Sequence, residues 1–189
     1  MRKVSFAVLA VCLTLSIGAS ATVIDNSIDA VNNTSGWTAV GQTLTSPGGA
    51  FTSYQFWLGT TVPTINFYVV AGDVATVGIG SPLYSTVLSG LGPGTFTATF
   101  NVPTTLGNTY SVLFDLNGYS GGSVLWGSTP YSGGIGEWGY GTSVTQCCGN
   151  IDTGFIATFG ASTPEPGSLV LFGTGILGLA GRFRRKLML

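Results

Sequence analysis

"GTFTATFNV", residues 94–102, decides the fold. On an extended chain successive side chains point to opposite faces, so Phe96, Ala98 and Phe100 share one side and Thr95, Thr97 and Thr99 the other. That is the signature of a half-buried β-strand. The reading extends outward in both directions. "FTSYQFWLG" (51–59) sets Thr52, Tyr54, Phe56 and Leu58 against Phe51, Ser53, Gln55 and Trp57, and the first set is the more apolar. "TINFYVVAG" (64–72) opposes Ile65, Phe67 and Val69 to Asn66, Tyr68 and Val70, while "TYSVLFDL" (109–116) turns Tyr110, Val112, Phe114 and Leu116 inward. "GWTAVGQTLT" (36–45) predicts an early strand and "GFIATFGA" (154–161) a last one. Turn-forming "SPGG" (46–49), "GLGPG" (90–94) and "LNG" (116–118) separate these runs. About six to nine strands at this spacing predict an all-β, jelly-roll-like antiparallel β-sandwich over residues 22–162.

Composition narrows the function. Of 189 residues only 7% are charged, 44% are hydrophobic, and histidine is absent. All six basic residues are terminal: Arg2, Lys3, Arg182, Arg184, Arg185 and Lys186. Between Thr22 and Thr163 the charges are Asp25, Asp29, Asp73, Asp115, Glu137 and Asp152, a formal −6. A polyanion finds no cation there, which argues against nucleic acid as a partner. Without histidine no Ser-His or Cys-His relay can form, and without Lys or Arg the domain has no phosphate clamp. The remaining catalytic option is a carboxylate-dependent glycoside hydrolase pairing Glu137 with an aspartate, and six scattered acids single out no pair. The chain is read as not an enzyme.

The cations at the ends have a different logic. "MRKVSFAVLAVCLTLSIGASA" (1–21) is a basic start, a short apolar run and a small-residue site at Ala19 and Ala21, the order of a cleaved export signal. At the other end, residues 167–181 carry no charge and cover about 22 Å as a helix. Extension through Phe183 with snorkelling arginines predicts a membrane span. "RFRRK" (182–186) is then retained on the cytoplasmic side, leaving the domain outside. Pro164 and Pro166 keep the preceding residues extended and exposed.

Residues 164–186 resemble a PEP-CTERM sorting signal: the triplet Pro164-Glu165-Pro166, a short glycine-rich apolar helix, then the arginine cluster. The resemblance implies a partner, exosortase, a membrane-embedded transpeptidase-like cysteine enzyme of Gram-negative bacteria. Pro164, Glu165 and Pro166 would be its recognition strip, and Arg182, Arg184, Arg185 and Lys186 the cytoplasmic stop. The implied route is an inner-membrane-anchored precursor, cut near the triplet and passed to the cell surface or released into its exopolysaccharide. Residues 163–189 form this sorting segment. Upstream, "GQTLTSPGGAFTSYQFWLG", "INFYVVAGD", "PLYSTVLSG" and "TYSVLFDLNGYSGG" resemble the jelly-roll extracellular domains found before such tails, a group that implies no catalytic residue. Together these readings give a structural or adhesive protein of the exopolysaccharide layer, with a carbohydrate-binding module as the alternative.

Two further constellations stand out. In "NGYSGGSVLWGSTPYSGGIGEWGYGTS" (117–143), Tyr119, Trp126, Tyr131, Trp138 and Tyr140 are interleaved with glycines. Such rings either cap the end of the sandwich or stack on sugar rings, with Asn117 or Glu137 reaching hydroxyls. Cys147-Cys148 can close a vicinal disulfide, remain free, or bridge to another molecule. Zinc would need further ligands that a histidine-free chain does not space suitably. Asp25, Asp29, Asp115 and Asp152 are read as solvated strand ends rather than calcium ligands, so no metal or cofactor is expected.

Overall fold

The computed structural model describes residues 20–27, 32–33, 36–121, 124–127, 131–146, 151–160 and 175. The expected export signal through Ala19, the Cys147-Cys148 pair, Asp29, the Pro164-Glu165-Pro166 strip, the apolar span apart from Gly175, and the tail Arg182, Arg184, Arg185 and Lys186 lie outside them. Ala21, the last residue of the expected signal, is described and exposed. Among the described residues no helix is long and apolar enough to cross a membrane.

Antiparallel strands dominate, as the period of two predicts. β1 (Thr22–Asp25), β13 (Phe155–Gly160), β4 (Gly49–Leu58) and β7 (Gly94–Thr104) form a four-stranded sheet in that order. β11 (Ser143–Gln146), β10 (Gly136–Tyr140), β3 (Ala39–Thr45), β8 (Thr109–Asp115), β5 (Val62–Ala71) and β6 (Tyr84–Leu91) form a six-stranded one. A small third sheet runs β12 (Asp152–Thr153), β9 (Leu125–Gly127), β2 (Asn32–Asn33). The chain passes between the two large sheets repeatedly, from β3 to β4 to β5 and again from β6 to β7 to β8.

The two large sheets enclose an aromatic core. β4 and β13 contribute Phe51, Tyr54, Phe56, Phe155 and Phe159; β5 and β8 contribute Phe67 and Phe114, all fully buried. Phe51 stacks on Phe159 at 4.7 Å, Tyr54 on Phe155 at 5.4 Å, and Phe56 meets Phe114 at 4.7 Å across the sheets. Rings in this geometry add about 1 kcal/mol per pair beyond their burial. In β7 the pattern of residues 94–102 holds: Ala98 is buried, Phe96 and Phe100 half-buried, and the threonines exposed.

Two departures from simple alternation have local causes. Phe51, expected on the more polar side of β4, is fully buried with Tyr54 and Phe56. Both registers of β4 shift between Phe51 and Ser53, where β4 has one residue more than β13, Thr52, and one fewer than β7. That bulge rotates Phe51 onto the core face, and the Thr52 hydroxyl donates to the Thr158 carbonyl at 3.1 Å. The second departure is β8, buried on both faces rather than one. A short helix, α1 (Val74–Val77), crosses the outer face of the six-stranded sheet, capped by Asp73 Oδ1, which accepts from the Ala75 amide at 2.9 Å. Val74 packs there with Ala39, Val70, Leu113 and Val144 in a second, smaller core.

Candidate functional site

The small sheet and β10 meet where the aromatic-glycine segment folds. Gln42 projects from β3 into the interior, fully buried. Its Nε2 donates to Asp152 Oδ1 at 2.7 Å, and its Oε1 accepts from the Thr153 amide at 2.9 Å. The other Asp152 oxygen accepts from the Tyr131 amide at 2.7 Å. Burial raises the Asp152 carboxyl, while the bonds from Gln42, Tyr131 and Gly136 oppose that rise. Tyr54 closes the network, its hydroxyl 3.3 Å from Thr153 Oγ1, and burial pushes its phenol strongly up. Asp152 is therefore a buried clamp on the segment and not a solvated strand end. Asp115, also expected at a solvated end, is buried and accepts from Asn66 Nδ2 at 3.1 Å and from the Asn117 amide at 3.0 Å. Among the described residues of that set Asp25 fits the expectation, exposed and lowered by its hydrogen bonds from Ser27.

The five aromatic residues separate into two groups. Tyr119 and Tyr131 pack on the main core, Tyr131 edge-on to Phe155 at 5.4 Å. The others form a row completed by Trp37, which the sequence reading did not single out. Half-buried Trp126 lies 5.7 Å from Trp138, Trp138 lies 6.3 Å from Trp37, and Trp37 lies 5.4 Å from Tyr140. From Trp138 onward exposure rises, from 6% there through half-buried Trp37 to 62% at Tyr140. Glycine is what brings the backbones together here. A Cβ on Gly139 would stand 2.0 Å from the Ser143 carbonyl oxygen, and one on Gly134 would stand 1.8 Å from that of Thr43. Asn117 sits outside this row at a left-handed turn, with φ of 53°.

Glu137 lies on the opposite, outer face of the sheet, beneath α1, with no exposed surface. Its Oε1 accepts from the Ala75 amide at 2.9 Å, sharing that donor with Asp73 Oδ1. Its Oε2 is buried and has no hydrogen-bond partner. Burial, with the Asp73 carboxyl as the next cause, raises Glu137 to about 8. Burial also works to raise Asp73, but Glu137, Gln146 and Thr76 outweigh it, and Asp73 is lowered. A protonated Glu137 thus faces an ionised Asp73. The carboxylate that the fold pairs with Glu137 is Asp73, 64 positions earlier. Among the described residues no three Cys, Asp or Glu side chains converge on a metal-sized site.

No curated protein sequence matches the chain. Of solved structures, the clostridial cysteine protease Cwp84 after propeptide cleavage superposes with a TM-score of 0.54 at 7% identity, over 76% of this chain and 41% of that one. The chain therefore spans less than half of that protein, and the likeness is one of fold alone. The cysteine protease and lectin-like domains of Cwp84, a surface layer associated protein of Clostridium difficile, give 0.47 at 11% identity over 66% and 32%. The CBM36-1 domain of a multidomain xylanase from the hindgut metagenome of Trinervitermes trinervoides gives 0.34 at 12% identity over 76% and 100%. At the C-terminus the finding is of another kind: residues 162–186 match the family model of the PEP-CTERM protein-sorting motif. The chain carries a PEP-CTERM sorting motif, the mark of an exported surface protein processed by exosortase.

Proposed function

We propose that residues 22–162 are a display domain with a structural or adhesive role in the exopolysaccharide layer of a Gram-negative cell. The observation that carries this is the sorting motif at residues 162–186 behind an all-β unit. In this reading residues 1–21 direct export, and residues 167–183 hold the precursor in the inner membrane. Arg182, Arg184, Arg185 and Lys186 keep the tail inside until exosortase cuts near Pro164-Glu165-Pro166. The repeated passage of the chain between the two large sheets supports reading the sandwich as jelly-roll-like. Catalysis has no place in the proposal. Asp115 and Asp152 are held by internal hydrogen bonds, and Glu137, the acid of the hydrolase alternative, is sealed under α1. The test is Glu165→Gln in the producing cell. The proposal expects the uncut precursor to accumulate in the membrane fraction, and processing at the normal rate would overturn it.

The carbohydrate-binding alternative is supported by Tyr140, 62% exposed and braced by Trp37. Of the five aromatic candidates, Tyr140 is the one with a ring open enough to lie against a sugar. Trp138 and Trp126 would back Trp37 in its support, while Tyr119 and Tyr131 belong to the main core. Retardation of the protein in polysaccharide affinity gels, lost on Tyr140→Ala, is the expected result of this reading.

A further inference from the structure

We infer that β6 is a homodimerisation edge, pairing antiparallel with β6 of a second copy of this chain. β6 pairs with β5 and ends the six-stranded sheet. An edge strand presents a row of backbone N–H and C=O groups to any strand that can approach, and natural edges are usually blunted by charge, proline or a bulge. Here the regular part, Tyr84–Ser89, has none of these. From Val74 to Phe114 the sequence holds no charged residue, and the left-handed Gly90, at φ of 66°, interrupts the edge only past Ser89.

A two-fold axis sets every residue of such a strand opposite its own kind or a near neighbour, so any charge on the strand would meet itself. The uncharged edge removes that obstacle, which is the argument for a second copy rather than a different partner. Centred on Val87, the pairing brings Val87 against Val87 of the second copy and Ser85 against Ser89. Val87 is 62% exposed on the outer face, a β-branched side chain suited to a cross-strand contact. On the inner face Tyr84 and Leu88 are half-buried against the main core, and a paired copy would continue that cover. The acids stay away from the axis. Across the sheet Asn66 separates Val87 from Asp115, which puts Asp115 about 24 Å from its counterpart at normal strand spacing. Asp73 is held by Gln146 of β11, at the opposite edge. The Asp115 separation exceeds the screening length at physiological salt, about 8 Å.

The test uses the full chain in detergent, followed by light scattering over a concentration series. The wild type should move from monomer to dimer. Val87→Lys and Val87→Glu should each weaken the dimer by about tenfold or more, and mixing the two should restore it. Because restoration requires both variants to be folded, it separates loss of pairing from loss of structure. Thr99→Lys, on the exposed face of β7 in the other sheet, should leave the dimer unchanged. A wild type that stays monomeric, or a dimer indifferent to Val87→Lys, would overturn the inference. So would failure of the mixture to recover.

Discussion

Asp152 and Glu137 are both buried acids in a domain with no cation to neutralise them, yet the fold treats them in opposite ways. Asp152 has both oxygens bonded, to Gln42 and to the Tyr131 amide, and ties the aromatic-glycine segment to β3. Glu137 has one oxygen bonded and the other orphaned, and it meets a second carboxyl at Asp73. The difference teaches how a cation-free domain carries buried acid: either by surrounding a carboxylate with neutral donors or by keeping the proton on it. Four experiments break or sharpen that contrast.

The largest effect should come from pH acting on Glu137. Its folded carboxyl keeps its proton up to about 8, whereas an unfolded one releases it near 4.5. The folded state therefore holds the extra proton between these values. Stability is full below pH 4.5 and falls as the pH climbs to about 8, by several kcal/mol in total. Urea midpoints across pH 4–9 should show this fall, and Glu137→Gln should flatten it while changing little at pH 5. A midpoint that rises over this range in the wild type would contradict a protonated Glu137.

Next is Gln42→Leu, which leaves Asp152 Oδ1 and the Thr153 amide without their donor and acceptor. The expected loss is about 3 kcal/mol in urea unfolding, because buried polar groups are stranded rather than removed in pairs. Gly41→Ala is milder. Its Cβ would stand 3.0 Å from Glu137 Oε2 and 3.1 Å from the Val112 carbonyl oxygen, and the resulting shift should cost about 1–2 kcal/mol. The smallest change in stability should follow Tyr140→Ala, within about 0.5 kcal/mol for an exposed ring. Retardation in polysaccharide gels should nonetheless be lost if that face meets sugar.

Much of the fold was legible in the sequence because period-two alternation is local. Residues 94–102, 64–72 and 109–116 each fold as the strand their pattern predicts. What escaped was non-local. Phe51 was assigned to the polar face because a bulge depends on its neighbours, β7 and β13, and leaves no mark in the alternation of β4. The double burial of β8 comes from α1, four residues long, too short to show a helical period. Its cap Asp73 and stop Gly78 are visible in "GDVATVG" (72–78) only once a helix is known to be there. Gln42 and Asp152 stand 110 positions apart, and no spacing rule joins a lone amide to a lone acid. Trp37 was read as part of an early strand, and its place beside Tyr140 follows from β3 pairing with β10. The sorting motif, by contrast, is read from residue order along the chain and needs no tertiary contact.

The proposed route to the surface requires a cut between the domain and a tail that is left behind. Intact-mass measurement of the protein recovered from the cell surface or medium addresses it most directly. The account predicts a chain that begins near Thr22 and has lost everything beyond the Pro164–Pro166 strip, including the four basic residues of 182–186. A surface form whose mass still includes Arg182 through Leu189 would contradict it.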